Sequence, residues 1–176
     1  MDILRGAAFF DRDGVINEDH GYVHRTSDFV LMPGAADAIR ACNRAGLFVF
    51  VVTNQSGVAR GYYDVEAVEE LHRHMKRILA AQDAHIDDIR YCPHLPEGDI
   101  AAFAIECGCR KPAPGMILDL LNAWPVDPAR SFMIGDKPSD VAAARAAGIA
   151  GHRLHDNDLY GLVERTLARQ RIARPD

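Results

Sequence analysis

The sequence predicts an α/β protein in which a mainly parallel sheet is covered on both faces by helices, and three observations carry that expectation. Short apolar runs alternate with longer amphipathic segments along most of the chain. The runs lack a polar alternation, as in Phe48–Thr53 (FVFVVT), which suits strands buried on both sides. Each pair of runs is separated by enough residues for a helix, the connection that parallel pairing requires. A chain of this kind builds a Rossmann-like three-layer sandwich.

The elements follow in order. Ala7–Asp11 (AAFFD) is a short apolar run closed by a carboxylate, and Pro33-Gly34 opens a helix over Ala35–Ala45 that stops at Gly46. Phe48–Thr53 is the second strand. Asp64 suits the N-cap of a long helix, in which Val65, Val68, Leu71, Met75, Ile78 and Leu79 recur at steps of three and four. Ile89–Cys92 reads as a third strand and Pro114–Ala123 as a helix with Pro in its first turn. Ser131–Gly135 is a fourth strand, Ser139–Ala147 an Ala-rich helix ending at Gly148, Ile149–Leu154 a fifth strand, and Asp158–Arg169 a closing helix. His72 and His74 lie two apart on their helix and are expected at the surface, whereas Cys42 suits a small core position. The one long stretch without regular pattern is Pro93–Pro112, and loops of that length are uncommon unless they serve a function.

Length and composition narrow the classes. At 176 residues, with 48% hydrophobic and 26% charged residues, the chain suits one domain over residues 1–176 with a sizeable core. A net charge of −5 argues against a surface built for nucleic acid or anionic lipid. Met1 to Arg5 does not read as a signal peptide, and no stretch approaches the ~20 apolar residues of a membrane span. The four cysteines are not spread like a disulfide framework. A cytoplasmic protein is expected.

In parallel sheets, ligands sit beyond the carboxyl ends of the strands, and polar residues gather there in this sequence. Asp11-Arg12-Asp13-Gly14 pairs two carboxylates after a buried strand. Their repulsion would be relieved by a divalent ion, and the pair could divide the work of nucleophile and proton carrier. The same letters also suit a plain turn. Thr53-Asn54-Gln55-Ser56-Gly57 offers neutral donors for phosphate oxygens, or an ordinary exit from a strand. Arg110-Lys111-Pro112 could neutralise a phosphoryl group or be a solvated basic pair. Gly135-Asp136-Lys137-Pro138-Ser139-Asp140 could hold Mg²⁺ through Asp136 with Asp140 bracing it from behind. Alternatively, Ser139 or Asp140 caps the helix. Order and placement strengthen all four readings, because phosphoryl transfer needs little beyond positioning, charge neutralisation and an ion.

Together, DRDGV, TNQSG, RKP and GDKPSD resemble the four motifs of the haloacid-dehalogenase-like phosphatases, from Ala7 to about Gly148. The resemblance implies that Asp11 is a nucleophile forming an aspartyl-phosphate and Asp13 the general acid/base. It implies that Thr53 and Lys111 orient and neutralise the phosphoryl group, and that Mg²⁺ is held by the Asp11 carboxylate, the Asp13 carbonyl and Asp136.

A second constellation is Cys92-x-His94 and Cys107-x-Cys109, with twelve residues between His94 and Cys107. Three thiolates and an imidazole suit tetrahedral Zn²⁺, and a full protein shell marks a structural site that would order the 92–109 loop. Unconnected cysteines are the plain alternative. Redox chemistry is disfavoured because no C-x-x-C is present.

Among these phosphatases such a loop resembles two subgroups, the D-glycero-D-manno-heptose 1,7-bisphosphate 7-phosphatases of the ADP-heptose route to lipopolysaccharide core, and the histidinol-phosphatases. The run Asn17–Val23 (NEDHGYV) and TNQSGVARGYY look like the heptose enzymes. Histidinol-phosphatases of this type are often fused to a dehydratase domain, whereas this chain is expected to end with its fold. By that resemblance Asp19, His20, Gly21, Tyr22, Asn54, Gln55, Ser56, Arg110 and Lys137 line the sugar phosphate, although Asp19 to Tyr22 also suits a glycine turn. Gly14 to Pro33 has room only for a flap, so an essentially capless site is expected. The implied partner is a small-molecule sugar bisphosphate acted on by a monomer, without nucleic acid or membrane. A non-enzymatic zinc-stabilised interaction domain on the same sheet is the alternative from another class, and the full set Asp11, Asp13, Lys111 and Asp136 speaks against it. No role is assigned to His24 or the C-terminal tail.

Overall fold

A computed structural model describes residues 4–172, without the side chains of residues 171 and 172; the expected tail and the first residues of the chain lie outside the described residues. Five strands form one sheet in the order β3-β2-β1-β4-β5, with β1 Ala7–Phe10, β2 Phe48–Asn54, β3 Asp88–Cys92, β4 Phe132–Gly135 and β5 Ala150–Arg153. Every pairing is parallel. The helices are α1 Ala35–Arg44, α2 Val65–Ala80, α3 Gly115–Ala123, α4 Pro138–Ala146 and α5 Leu159–Ile172. Each expected element is present, with ends moved by a few residues.

Alternate residues of the central strands feed two cores, because side chains along a strand point to opposite faces. Ala8, Phe10, Val49, Val51, Phe132 and Ile134 pack against Ile39 and Cys42 of α1, Leu71 and Met75 of α2 and Val163 of α5. Ala7, Phe9, Phe50, Val52 and Met133 pack against Met116, Ile117 and Leu120 of α3 and Ala143 and Ala144 of α4. Helix, sheet and helix layers result, and Cys42 is fully buried in the first core. Asp64 caps α2 by accepting the Ala67 N–H at 2.8 Å. No α-helix of the described residues separates β1 from α1. That connection carries only a 3-10 turn, Thr26–Asp28, and is tied back by Glu18 N to Val30 O and Met32 N to Ile16 O.

Two expectations are corrected. Neither Ser139 nor Asp140 is the N-cap of α4; Lys137 is, and Asp140 in the first turn reaches back to accept its N–H at 3.0 Å. His72 is not a surface residue. It is 6% exposed, because α2 turns the Leu71–His72–Met75 side inward and the ring meets a buried guanidinium instead of water. Burial, reinforced by the adjacent Arg12 cation, lowers its pKa from 6.5 to about 3. The folded state therefore refuses a proton that the unfolded chain accepts, so stability present above pH 6.5 is lost as pH falls towards 3. Replacing His72 with Gln should flatten the urea-midpoint profile between pH 6.5 and 4.5, where one such group contributes about 1.4 kcal/mol per pH unit. Parallel profiles for the two proteins would refute this.

Candidate active site

The site lies beyond the carboxyl ends of β1, β2 and β4. Asp11 directly follows β1, and its N–H bonds Ile134 O at 3.1 Å. Its carboxylate is 5% exposed, a costly position unless a cation meets it. Lys111 does so, with Nζ 2.8 Å from Asp11 Oδ1, 2.7 Å from Asp140 Oδ1 and 2.8 Å from Val52 O. Three acceptors satisfy the three ammonium protons. Burial works against this cation, but Asp11 and Asp140 outweigh it and hold its pKa above the ordinary lysine value. Burial pushes Asp11 up, to about 7, against the pull of Lys111.

Position 111 is set by its main chain. Asn54, at the end of β2, donates Nδ2 to Lys111 O at 3.1 Å and accepts Lys111 N–H on Oδ1 at 3.0 Å. Both polar groups of the Asn54 side chain thus hold the backbone that carries the ammonium. Asp140 reaches Lys111 over Gly135, where a Cβ would lie 2.2 Å from the Asp140 Cβ. A side chain at 135 would displace the brace.

Asp136 follows β4, and its Oδ2 faces Gly14, whose φ of +81° and lack of Cβ allow the close approach. Its Oδ1 is buried with no hydrogen-bond partner among the described residues, and burial raises its pKa against the pull of Lys137. Ligand oxygens of Asp11, Asp136 and Asp140 lie within 4.8 Å of one another. Lys111 and the Lys137 N–H already occupy Asp140, so the uncompensated capacity sits on Asp136. An orphaned carboxylate oxygen beside a second carboxylate fits a hard divalent cation such as Mg²⁺.

Asp13 is held on several sides. Oδ1 accepts from Arg12 Nε at 3.1 Å, Arg12 Nη2 at 2.9 Å and Asn17 Nδ2 at 3.0 Å, while Oδ2 accepts from Gln55 Nε2 at 2.9 Å. Gln55 also donates to Thr53 Oγ1 at 2.8 Å and accepts from Tyr63 Oη at 2.7 Å. Thr53 is buried, with its own proton left as a donor. Arg110 donates to His94 O at 3.5 Å, which ties it to the cysteine loop, and Lys137 is exposed. Ser56 is half-buried and its carbonyl accepts from Arg60 N. Asp19, His20, Gly21 and Tyr22 form an exposed turn in which Asp19 Oδ1 accepts the Gly21 N–H and His20 meets Glu18. That turn leans on the 60–63 segment through an edge-on Tyr22–Tyr62 pair, and His24 stacks on Tyr63. A groove of about 530 Å³ borders it, lined by residues between His20 and Val30 and by none of the buried carboxylates.

Arg12, Asn17 and Tyr63 belong to this network although the sequence suggested no role for them, and His72, expected at the surface, joins it through Arg12. An arginine between two aspartates reads as solvated, and only its fully buried position reveals otherwise.

The second constellation also closes in space. Cys92 Sγ lies 3.6 Å from Cys107 Sγ, 3.2 Å from Cys109 Sγ and 3.6 Å from His94 Nδ1, and His94 Nδ1 lies 3.3 Å from Cys109 Sγ. Tetrahedral Zn–S bonds of ~2.3 Å place sulfurs ~3.8 Å apart, so the donor set suits that ion.

Similar proteins bear on this geometry. A HAD-hydrolase-like family profile matches residues 108–152. The D-glycero-beta-D-manno-heptose-1,7-bisphosphate 7-phosphatase of Rhodopseudomonas palustris is 53% identical over 163 residues, 93% of this chain and 91% of that one. The chain belongs to this phosphatase family. The family member of Escherichia coli K12 is 46% identical over 143 residues, 81% of this chain and 75% of its own. Among solved structures, the D,D-heptose 1.7-bisphosphate phosphatase from B. bronchiseptica, complexed with magnesium and phosphate, superposes with a TM-score of 0.81 at 32% identity, covering 93% of this chain and 99% of that one. Membership in the family accounts for the order of the four motifs along the sheet.

Proposed function

We propose that this protein is a Mg²⁺-dependent phosphomonoesterase that removes the C7 phosphate of D-glycero-β-D-manno-heptose 1,7-bisphosphate, in the cytoplasm, as one folded unit over residues 1–176. The observation that carries the chemistry is the buried Asp11–Lys111–Asp140 array beside the orphaned Asp136 oxygen. The substrate class rests on the relatives, whose names also specify the β anomer. Asp11 attacks phosphorus, and the ester oxygen leaves with a proton from Asp13, yielding an aspartyl-phosphate. Water then attacks that phosphorus and loses its proton to Asp13, and the Asp11 carboxylate is restored. Lys111 orients the Asp11 carboxylate and offsets the phosphoryl charge, and Thr53 supplies a neutral donor. Asp11, the Asp13 carbonyl and Asp136 would hold Mg²⁺, which would supply charge neutralisation for the phosphoryl group.

The exposed 19–22 turn and Lys137, with the half-buried Ser56 and Arg110, form the sugar-phosphate contacts, whereas Asn54 and Gln55 serve by bracing Lys111 and Asp13. The protein acts as a monomer. The decisive measurement compares kcat/KM for both heptose bisphosphate anomers and for histidinol phosphate. The β anomer should lead histidinol phosphate by ~10²-fold or more, since hydroxyl-reading contacts left unpaired are costly. A preference for histidinol phosphate would overturn the substrate assignment.

Cys92, His94, Cys107 and Cys109 would hold Zn²⁺, which would order the loop that leads to Arg110 and Lys111. Substituting Cys107 with Ser should reduce bound zinc below one per chain, lower the melting temperature and weaken activity indirectly. Unchanged metal content and melting temperature would remove the zinc assignment.

A further inference from the structure

Arg12 is fully buried, and its donors run in three directions. Nε and Nη2 grip the Asp13 carboxylate, Nη2 also donates to Val23 O at 2.8 Å, and Nη1 donates to His72 Nε2 at 3.2 Å. Val23 closes the 19–22 turn, and His72 projects from α2. One guanidinium thus ties together the acid/base candidate, the substrate loop and a helix remote in sequence.

We propose that His72 and Arg12 form a buried strut that positions the Asp13 carboxylate for proton transfer and couples it to the substrate loop. The inference rests on the phosphatase reading and extends it to two residues that touch no reacting atom. An apolar side chain would fill the His72 site, as Leu71 and Met75 do beside it, and would pack on Tyr91 as the imidazole does. What the imidazole adds is a lone pair on Nε2. Its low proton affinity keeps that lone pair free for Arg12 at physiological pH. A planar fork needs its ends held in different directions to stay in one orientation. Val23 O and Asp13 hold one side, and His72 holds the other.

A general acid matters most when the leaving group is basic. An alkyl phosphate such as the heptose ester needs a proton on its departing oxygen, whereas the 4-nitrophenolate of 4-nitrophenyl phosphate leaves without one. kcat/KM includes steps only through departure of that group, so it isolates the acid role from later hydrolysis of the aspartyl-phosphate. The test measures kcat/KM of the full-length protein on both esters for wild type, His72→Phe and His72→Gln. His72→Phe keeps the ring and loses the acceptor; it should fall about tenfold or more on the heptose ester and less than threefold on the aryl ester. His72→Gln restores an acceptor and should recover most of the loss. Equal losses on both esters, no loss or a gain, or no recovery with Gln would overturn the strut. Should His72→Phe fail to fold, Arg12→Lys, which keeps charge but not the fork, must show the same selective loss. Failure of wild type to hydrolyse either ester would refute the phosphatase reading itself, a result distinct from all of these.

Discussion

Asp11→Asn is expected to reduce turnover by ~10³-fold or more while leaving the fold and the proposed cysteine-held zinc intact. The amide lacks the anionic oxygen that the proposed route uses to attack phosphorus, and its carbonyl is too weak a nucleophile to replace it. Stability should not suffer. Asp11 is an ionisable group almost removed from water, and burial already pushes its pKa up to about 7. A neutral isostere escapes that desolvation penalty, and Lys111 retains Asp140 at 2.7 Å and Val52 O at 2.8 Å. A melting temperature equal to or above that of wild type, together with loss of phosphate release, would meet the expectation. Normal turnover by the variant would exclude a covalent route through this residue.

Lys111→Met should be the most destabilising substitution at the site. It removes the one ammonium set between Asp11 and Asp140 and leaves two buried carboxylates facing each other. Breaking a buried pair from one side typically costs 3–5 kcal/mol, about a third of the whole stability of a typical domain. The loss should depend on pH in a definite sense. Without the pull of Lys111 the already raised proton affinity of Asp11 rises further, so the folded variant takes up a proton that the unfolded chain releases. Its stability is then best at low pH and falls as pH rises. Urea unfolding at pH 5 and pH 8 should show the variant closer to wild type at the lower value. A larger deficit at pH 5 than at pH 8 would contradict the charge-pair account. Activity should fall with stability, because the Asp11 carboxylate loses both its orientation and its counter-cation.

How much of this was legible in the chain varies by residue. The strands and helices were readable because their signals are local: continuous apolar runs for doubly covered strands, three-and-four spacing for α2, and an aspartate cap confirmed by the Ala67 N–H. Asp11 and Asp136 stood out because polar groups at strand ends are costly and few, whereas Lys111, in the long loop after β3, drew attention as a basic pair with Arg110 whose plain reading was a solvated one. His72 was misplaced for an equally physical reason. Helical periodicity reports which side of α2 is apolar, but a histidine on the border of that side can point either way. The outcome depended on Arg12, sixty positions earlier, needing an acceptor. Asn54 and Gln55 illustrate a related limit, since an amide after a strand can face a ligand or a neighbouring backbone with equal ease. Here Asn54 turns to the Lys111 main chain and Gln55 to Asp13 and Thr53.

By itself the amino-acid sequence determined the kinds of group available and the strand ends they occupy, because apolar periodicity and strand termini are properties of neighbouring residues. Only the tertiary structure decided which of those groups meet. Parallel pairing of β1 with β2 and β4 brings Asp11 level with Val52 O, Asp136 and Asp140, and the long 93–112 loop returns Lys111 to bond three acceptors at once. Such meetings join residues a hundred or more positions apart, and no local pattern specifies them. They arise because buried charges find one arrangement in which each has a partner, and because Asp136 Oδ1, the oxygen left without one among the described residues, sits where a cation belongs.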